Sequence, residues 1–309
     1  MKIFILLFFN FILIYNLSGQ QIAHYSNYIE NSYYLNPSIS SPLRKRVLLA
    51  YRNHWSGFSG APKTSLISFQ FPFFLKTNSK SYSCFGGYLQ NDKIGPFFNT
   101  SLNFSYSYSF LLNDRLRVSF GSFLGIQQLG LSVTSLESFH PNDPVIDISN
   151  YSLLSPILDF GITVSNQNFF VALSTKQLTQ NNWRNIIKSE LSSNVTSYIL
   201  LFGKSLKNDV IVLSPNFLID YHPKLPTLLL LGFNVSYRNI FNIGMLTKNE
   251  DSFISTLKIN VNENIHFLYG YEFSYSSKNP VRTNAHEFMI SYHTSVVEKM
   301  KRTNLISYF

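Results

Sequence analysis

The chain has 309 residues, of which 13% are charged and 16% aromatic, including 29 Phe and 19 Tyr. Ordinary soluble domains carry about 25% charged residues, so there are too few charges here to coat a soluble surface. The net charge of +9 does not indicate nucleic acid: the cations are scattered over loops and strand ends, with Arg44-Lys45-Arg46 and Lys299-Met300-Lys301-Arg302 as short clusters, and they read as interfacial residues facing acidic lipid head groups.

The chain opens with Lys2, an apolar run from Ile3 to Leu17 broken by Asn10 and Asn16, and the small residues Ser18-Gly19. This is the layout of a cleaved signal peptide over residues 1–19, with the cut near Gly19 or Gln20. The run is short for a spanning helix, which needs about 20 apolar residues, and no Cys follows at the position that lipoprotein processing requires. Residues 20–45, rich in Tyr and Asn, precede the first strand and belong either in the periplasm or in a barrel lumen.

From there the pattern has a period of two. Leu102, Phe104, Tyr106, Tyr108 and Phe110 alternate with Asn103, Ser105, Ser107 and Ser109, and the same alternation recurs at 158–164, 229–237, 253–261, 265–275 and 288–292. Each run has roughly the nine to eleven residues that a tilted membrane strand needs. Fourteen strands are expected, at about 46–52, 64–71, 82–90, 99–110, 115–128, 157–165, 168–174, 194–205, 209–221, 228–238, 240–247, 252–262, 264–276 and 284–294.

No later window suits a membrane helix. The expected fold class is therefore all-β, an antiparallel transmembrane outer-membrane barrel over 46–294, because lipid demands that every backbone polar group be paired within the chain. Residues 295–309 are read as a C-terminal extension. The charges agree with this: Arg117, Asp159, Lys258, Glu272 and Glu287 fall in phase with the polar face of their strands, whereas a lipid-facing ion near the midplane costs about 2–4 kcal/mol. A soluble β-sandwich is the competing fold, but fourteen strands exceed what one sandwich usually holds.

Short and long connections alternate along the chain. With short turns in the periplasm and long loops outside, the external loops are 53–63, 91–98, 129–156, 175–193, 222–227 and 277–283; the connection 72–81 is long for its periplasmic side. The loop before Asn194 also carries an aromatic and basic pair, Trp183-Arg184.

Two segments stand out at the external mouth. The first runs Tyr51-Arg52-Asn53-His54-Trp55-Ser56-Gly57-Phe58-Ser59-Gly60-Ala61-Pro62-Lys63-Thr64, and the second Asn91-Asp92-Lys93-Ile94-Gly95-Pro96. Together with Asn36-Pro37, Asp159-Phe160-Gly161, Pro215-Asn216-Phe217 and His286-Glu287-Phe288, they resemble the signature of the PorP/SprF family, outer-membrane proteins of the Bacteroidota type IX secretion system. His54 stands where the family usually has Gln, and the segment after the His-Glu strand is longer than usual.

The resemblance implies a non-enzymatic barrel that helps export a large secreted surface protein such as an adhesin, or holds it at the surface, in contact with type IX components and outer-membrane lipid. Two other readings stay open, a structural component contacting periplasmic subunits and a solute channel. Exposed aromatics beside a cation are typical interface anchors, which makes Tyr51, Arg52, Trp55, Gly57, Phe58, Gly60, Ala61, Pro62, Lys63 and Thr64 the candidate partner-contact set. A turn with an aromatic girdle is the plainer reading of the same residues.

Other chemistry is not signalled. The seven histidines lack the spacing of a metal site, Cys84 is alone, and no nucleophile elbow, phosphate loop or dinucleotide fingerprint appears. No cofactor, metal or catalytic residue is expected, and a lipid hydrolase rests only on the abundance of Ser and His.

Overall fold

The computed structural model describes residues 23–74, 81–132, 151–180, 195–249, 251–275 and 284–295. The expected leader, the C-terminal extension and Trp183-Arg184 lie outside these residues. A single helical turn, α1 (Ser32–Leu35), precedes β1 (Arg44–His54), β2 (Lys63–Phe73), β3 (Tyr82–Ile94), β4 (Phe97–Leu111), β5 (Arg117–Leu131), β6 (Tyr151–Ser165), β7 (Phe169–Lys176) and β8 (Ser197–Lys204). There follow β9 (Leu206–Lys207), β10 (Ile211–His222), β11 (Leu225–Tyr237), β12 (Phe241–Lys248), β13 (Ser252–Asn260), β14 (Ile265–Ser274) and β15 (Asn284–Ser295).

Every pairing is antiparallel, and β1 pairs with β15 from Arg44 opposite Ser295 to His54 opposite Ala285. The sheet therefore closes. The two-residue β9 continues the line of β8 along β10, so the wall is a barrel of fourteen staves.

Prolines mark where the ladders thin. Pro72 lies beyond Gln70, the last β2 residue paired with β1, and has only β3 beside it. Pro156 and Pro226 likewise sit where β6 and β11 have one neighbour. Pro215 lies in the gap between the β8–β10 ladder, which ends at Asn216, and the β9–β10 ladder, which resumes at Leu213. A proline has no N–H to give, so each occupies a place where no second ladder asks for one.

The distribution of side chains is the reverse of a soluble protein. On β4 Phe104 is 47% and Tyr106 53% exposed, while Asn103 and Ser109 are 0% exposed. The outer surface is apolar and faces lipid, and the polar residues face the lumen. Arg117, Asp159, Glu272 and Glu287 are all buried on that inner face, and Lys258 reaches the lumenal Glu30.

The lumen is filled by the N-terminal segment. Tyr25, Tyr28, Tyr33, Tyr34, Leu35 and Ile39 are buried in one cluster with wall residues Leu48, Leu66, Tyr88, Phe123 and Phe170. Tyr34 meets Tyr25 and Tyr88 edge-on, with ring centroids 5.5 and 5.1 Å apart, the geometry that the ring quadrupole favours. Lys176 lies 4.0 Å from the Tyr34 ring centroid and donates to the Tyr34 carbonyl at 2.7 Å.

Glycines in the inward phase admit this segment. A Cβ on Gly121 would stand 2.6 Å from the Pro37 carbonyl group, and one on Gly161 would collide with the Asn36 side chain. Asn36 needs that room: its Nδ2 donates to the Leu173 carbonyl at 2.8 Å, and its Oδ1 accepts from the Ser38 N–H at 2.9 Å.

Replacing Gly121 or Gly161 with Val is expected to lift residues 35–39 off the wall, because overpacking costs about 1–3 kcal/mol and the strand cannot yield. The barrel should keep its heat-modifiable gel migration, while a protease added in detergent should cut within residues 23–43 at least several-fold faster.

Candidate functional site at the signature rim

β1 runs from one rim to the other and delivers the first signature to the rim opposite the turns that join β4 to β5, β6 to β7, β11 to β12 and β13 to β14, which together make the short-turn rim. Tyr51 is exposed on the lipid side and Arg52 is buried inside, one residue apart along a strand whose side chains alternate. Beyond His54 the chain makes a compact loop. The His54 N–H bonds the Pro62 carbonyl at 2.9 Å, that of Phe58 the Trp55 carbonyl at 3.2 Å, and that of Ala61 the Phe58 carbonyl at 3.3 Å. Trp55, Gly57 and Gly60 take φ of +58°, +99° and +74°, a region where glycine is at ease and Trp is not.

The structure brings the two signatures together. The second is the end of β3 plus a two-residue turn, so the strand extends four residues past the expected boundary at Gln90 and the expected loop shrinks to Gly95-Pro96. The Gly95 N–H donates to the Gly60 carbonyl at 2.8 Å, and a Cβ on Gly60 would press on the Gly95 Cα at 3.3 Å. Thr64 Oγ1 donates to Asp92 Oδ1 at 2.6 Å. The Ser56 N–H reaches the Asn284 carbonyl at the start of β15, at 3.1 Å. The rim over β15, β1, β2, β3 and β4 is thus one bonded platform.

The signature residues divide by direction. Tyr51, Trp55, Gly57, Phe58, Gly60, Lys63, Asn91, Lys93 and Ile94 are exposed, and Pro62, Asp92, Gly95 and Pro96 are half-buried. Arg52, Ala61 and Thr64 are buried, which leaves them no surface to offer a partner. Trp55 at 43% and Phe58 at 49% exposure are the large apolar side chains on the loop itself, and His54 lies against Trp55 with centroids 5.3 Å apart.

Arg52 does something else. Its Nη2 pairs with Glu272 Oε2 at 2.5 Å, and its Nη1 pairs with Glu287 Oε2 at 3.3 Å and donates to Ser26 Oγ at 2.6 Å. Lys248 Nζ holds the other Glu272 oxygen at 3.0 Å. Glu287 accepts from the Ser26 N–H at 2.6 Å and from the Asn27 N–H and Nδ2 at 2.8 and 2.9 Å. Two cations face two carboxylates, and the N-terminal segment is tied into the group by its backbone.

A second clasp lies nearer the short turns, where Glu30 bridges Arg46 and Lys258. Burial alone would raise the Glu30 carboxyl, but Lys258 and Arg46 outweigh it and hold it at about 2. A depressed carboxylate stabilises above its ordinary range and loses that contribution only as pH falls through the lowered value, so this clasp stays closed at neutral and mildly acid pH. The imidazoles of His24 and His222 approach Asp220 Oδ2 at 3.2 and 3.3 Å. No trio of His, Cys, Asp or Glu suited to a metal occurs among the described residues.

The motif alone did not reveal the inner group. The available signal was the phase of Arg52 with Leu48 and Ala50 on β1, and of Glu272 and Glu287 on their strands.

Replacing Arg52 with Ala would leave Glu272 and Glu287 buried with one cation between them, and losing one member of a buried pair costs about 3–5 kcal/mol. The expected result is a lower urea midpoint in detergent and faster proteolysis at residues 23–30. Arg52→Lys should recover only part of the loss, since an ammonium cannot span both carboxylates.

A family model described as type IX secretion system membrane protein PorP/SprF matches residues 17–292. No curated protein matches the chain. Among solved structures, the toluene transporter TbuX of Ralstonia pickettii superposes with a TM-score of 0.53 at 9% identity, covering 84% of this chain and 92% of that one. The CymD monoaromatic hydrocarbon channel gives a TM-score of 0.53 at 11% identity, covering 87% and 94%. Identities this low show likeness of fold alone, that of outer-membrane barrels.

Proposed function

Since the chain belongs to the type IX secretion system membrane proteins of the PorP/SprF family, and sits in the outer membrane as a barrel, we propose that it is a non-enzymatic scaffold for a large secreted surface protein. In this reading the signature rim is external and the barrel assists export of an adhesin-like partner or holds it at the cell surface. One observation carries the reading. The two signature loops are bonded into a single platform that presents Trp55 and Phe58, while the lumen behind it is occupied by the chain's own N-terminal segment. A filled lumen weighs against a solute channel, although the fold is shared with hydrocarbon channels.

Lys63 and Lys93 stand opposite each other in the β2–β3 register, both exposed. Like charges so placed repel unless an anion lies between them, and a lipid phosphate at the membrane surface supplies one. This supports lipid contact at the edge of the platform. A role as a machinery component touching periplasmic subunits would use the other rim, where the short turns carry Arg115, Lys204, Lys207 and Arg238 exposed.

The Trp55→Ala, Phe58→Ala double variant is expected to assemble as a heat-modifiable barrel and to lose co-purification with its surface partner, each truncation costing about 2 kcal/mol or more. A partner retained at unchanged affinity would reduce the loop to turn and girdle. Orientation has its own check, in a Cys84→Ser background: the Ser59→Cys variant should react with an impermeant maleimide on whole cells and the Asn208→Cys variant should not. Reversed labelling would turn the platform towards the periplasm.

A further inference from the structure

The lumen is not filled evenly. Between residues 26–30 of the N-terminal segment and the wall from β10 to β14 lies a cavity of about 290 Å³. Ser205, Asn239 and Asn260, at or beside the turns of the short-turn rim, are among its lining residues, so the cavity reaches the end opposite the signature platform.

Its wall side is laid out in two rows. Ser214, Asn234, Gly244 and Thr256 are successive register partners across β10, β11, β12 and β13, as are Val212, Ser236, Asn242 and Lys258. Adjacent strands are about 4.8 Å apart, so Ser214 and Asn234 in one row, and Ser236 and Asn242 in the other, stand at that interval, with Thr256 two strands beyond Asn234 across Gly244. Asn234, Ser236, Asn242 and Thr256 line it, and their side chains make no hydrogen bond to protein among the described residues. These are half of a hydrogen-bonding surface.

The rest of the lumen shows what such a wall takes. The N-terminal segment is held through its backbone carbonyls by wall side chains: Gln70 Nε2 to Ile39 at 2.7 Å, Ser174 Oγ to Leu35 at 2.8 Å, and Lys176 Nζ to Tyr34 at 2.7 Å. We propose that the cavity binds an extended segment of a second polypeptide, entering from the short-turn rim and held by the free amides and hydroxyls of the two rows through its backbone.

Other ligand classes fit less well. A hydrocarbon would cover these amides without pairing them, which is costly. A saccharide would find no aromatic face to stack on, because the one aromatic in the lining, Tyr28, is 1% exposed with its hydroxyl donating to Asn216. The inference deepens the scaffold reading by adding a site for a polypeptide at the other end of the barrel. Its test does not involve the Trp55 loop, so either can fail alone.

The test is disulfide tethering on the full chain in detergent, with Cys84→Ser and Ser205→Cys placing one thiol at the cavity edge. The protein is equilibrated with a short Ser-, Thr-, Asn- and Val-containing peptide ending in Cys, against 2-mercaptoethanol, and separately with a thiol-bearing chitotetraose; conjugates are counted by intact mass. The peptide should be favoured by about tenfold or more over 2-mercaptoethanol. Adding Asn242→Trp or Ser236→Trp, which fill the cavity, should abolish the preference, and Val235→Trp, at a side chain that faces lipid, should preserve it. Equal capture of peptide and 2-mercaptoethanol by the parent protein overturns the proposal. So does preferential capture of the tetrasaccharide, or a preference that survives both filling substitutions in barrels shown to be folded by heat-modifiable migration.

Discussion

A backbone in hydrocarbon must find all its hydrogen bonds within the protein, and the pairing of β1 with β15 is where this chain meets that demand. Eleven residues of β1, Arg44 to His54, are matched one for one with β15. Once the sheet is closed there are only two faces left. The outer one must be apolar, which explains Phe104, Tyr106 and Tyr108 on the surface, and the inner one is free to carry the small polar residues Asn103, Ser105 and Ser107. Closure also fixes where proline is tolerated, since Pro72, Pro156 and Pro226 fall where the staggered ladders leave a strand with one neighbour.

A closed wall lined with small polar residues encloses a space that must hold water, ligand or protein. This chain fills most of it with its own residues 23–43. The choice has consequences for the wall: Gly121 and Gly161 give up their side chains so that Asn36 and Pro37 can lie against the strands, and the charges around Arg52 are answered by other strands and by the segment. Arg52, Lys248, Glu272 and Glu287 form a neutral set whose remaining acceptor positions are taken by the Ser26 and Asn27 N–H groups. Unpaired, any one of them would carry a desolvation cost of several kcal/mol; paired, they fix the height of the segment in the lumen.

Much of the wall was legible in the sequence, because a membrane strand advertises itself by period-two alternation. The fourteen staves and the inward phase of Arg117, Asp159, Glu272 and Glu287 follow from that alone. The place of the N-terminal segment was not legible: its Tyr and Asn residues pack individually against different strands, which leaves no period to read, and periplasm and lumen were equally compatible. Glycines in the wet phase, Gly86, Gly121, Gly161 and Gly270, were the trace it left, since each touches the segment. Ends of strands were also blurred. The second signature looked like a loop because Asn91-Asp92-Lys93 is polar, yet it is strand, its outward residues having passed beyond the apolar belt.

The first signature contributes side chains to two surfaces, the lumen and the rim. Alternation along β1 turns Arg52 inward to the ions that hold the N-terminal segment, and Tyr51 outward to lipid; just past Arg52 the same run becomes the rim loop with Trp55 and Phe58. Thr64 then returns inward and fixes Asp92 of the second signature, while Gly60 meets Gly95 backbone to backbone. The inward members hold the platform and the lumenal segment to one wall, and the outward members are what another protein would meet. Arg52 lies two residues before the end of β1 and Trp55 is the first residue of the loop beyond it, so the platform starts beside the ions that seat the segment. The proposed partner, gripping Trp55 and Phe58, would meet a loop tied by backbone bonds to Gly95 and Asn284, which would lower the ordering cost of binding.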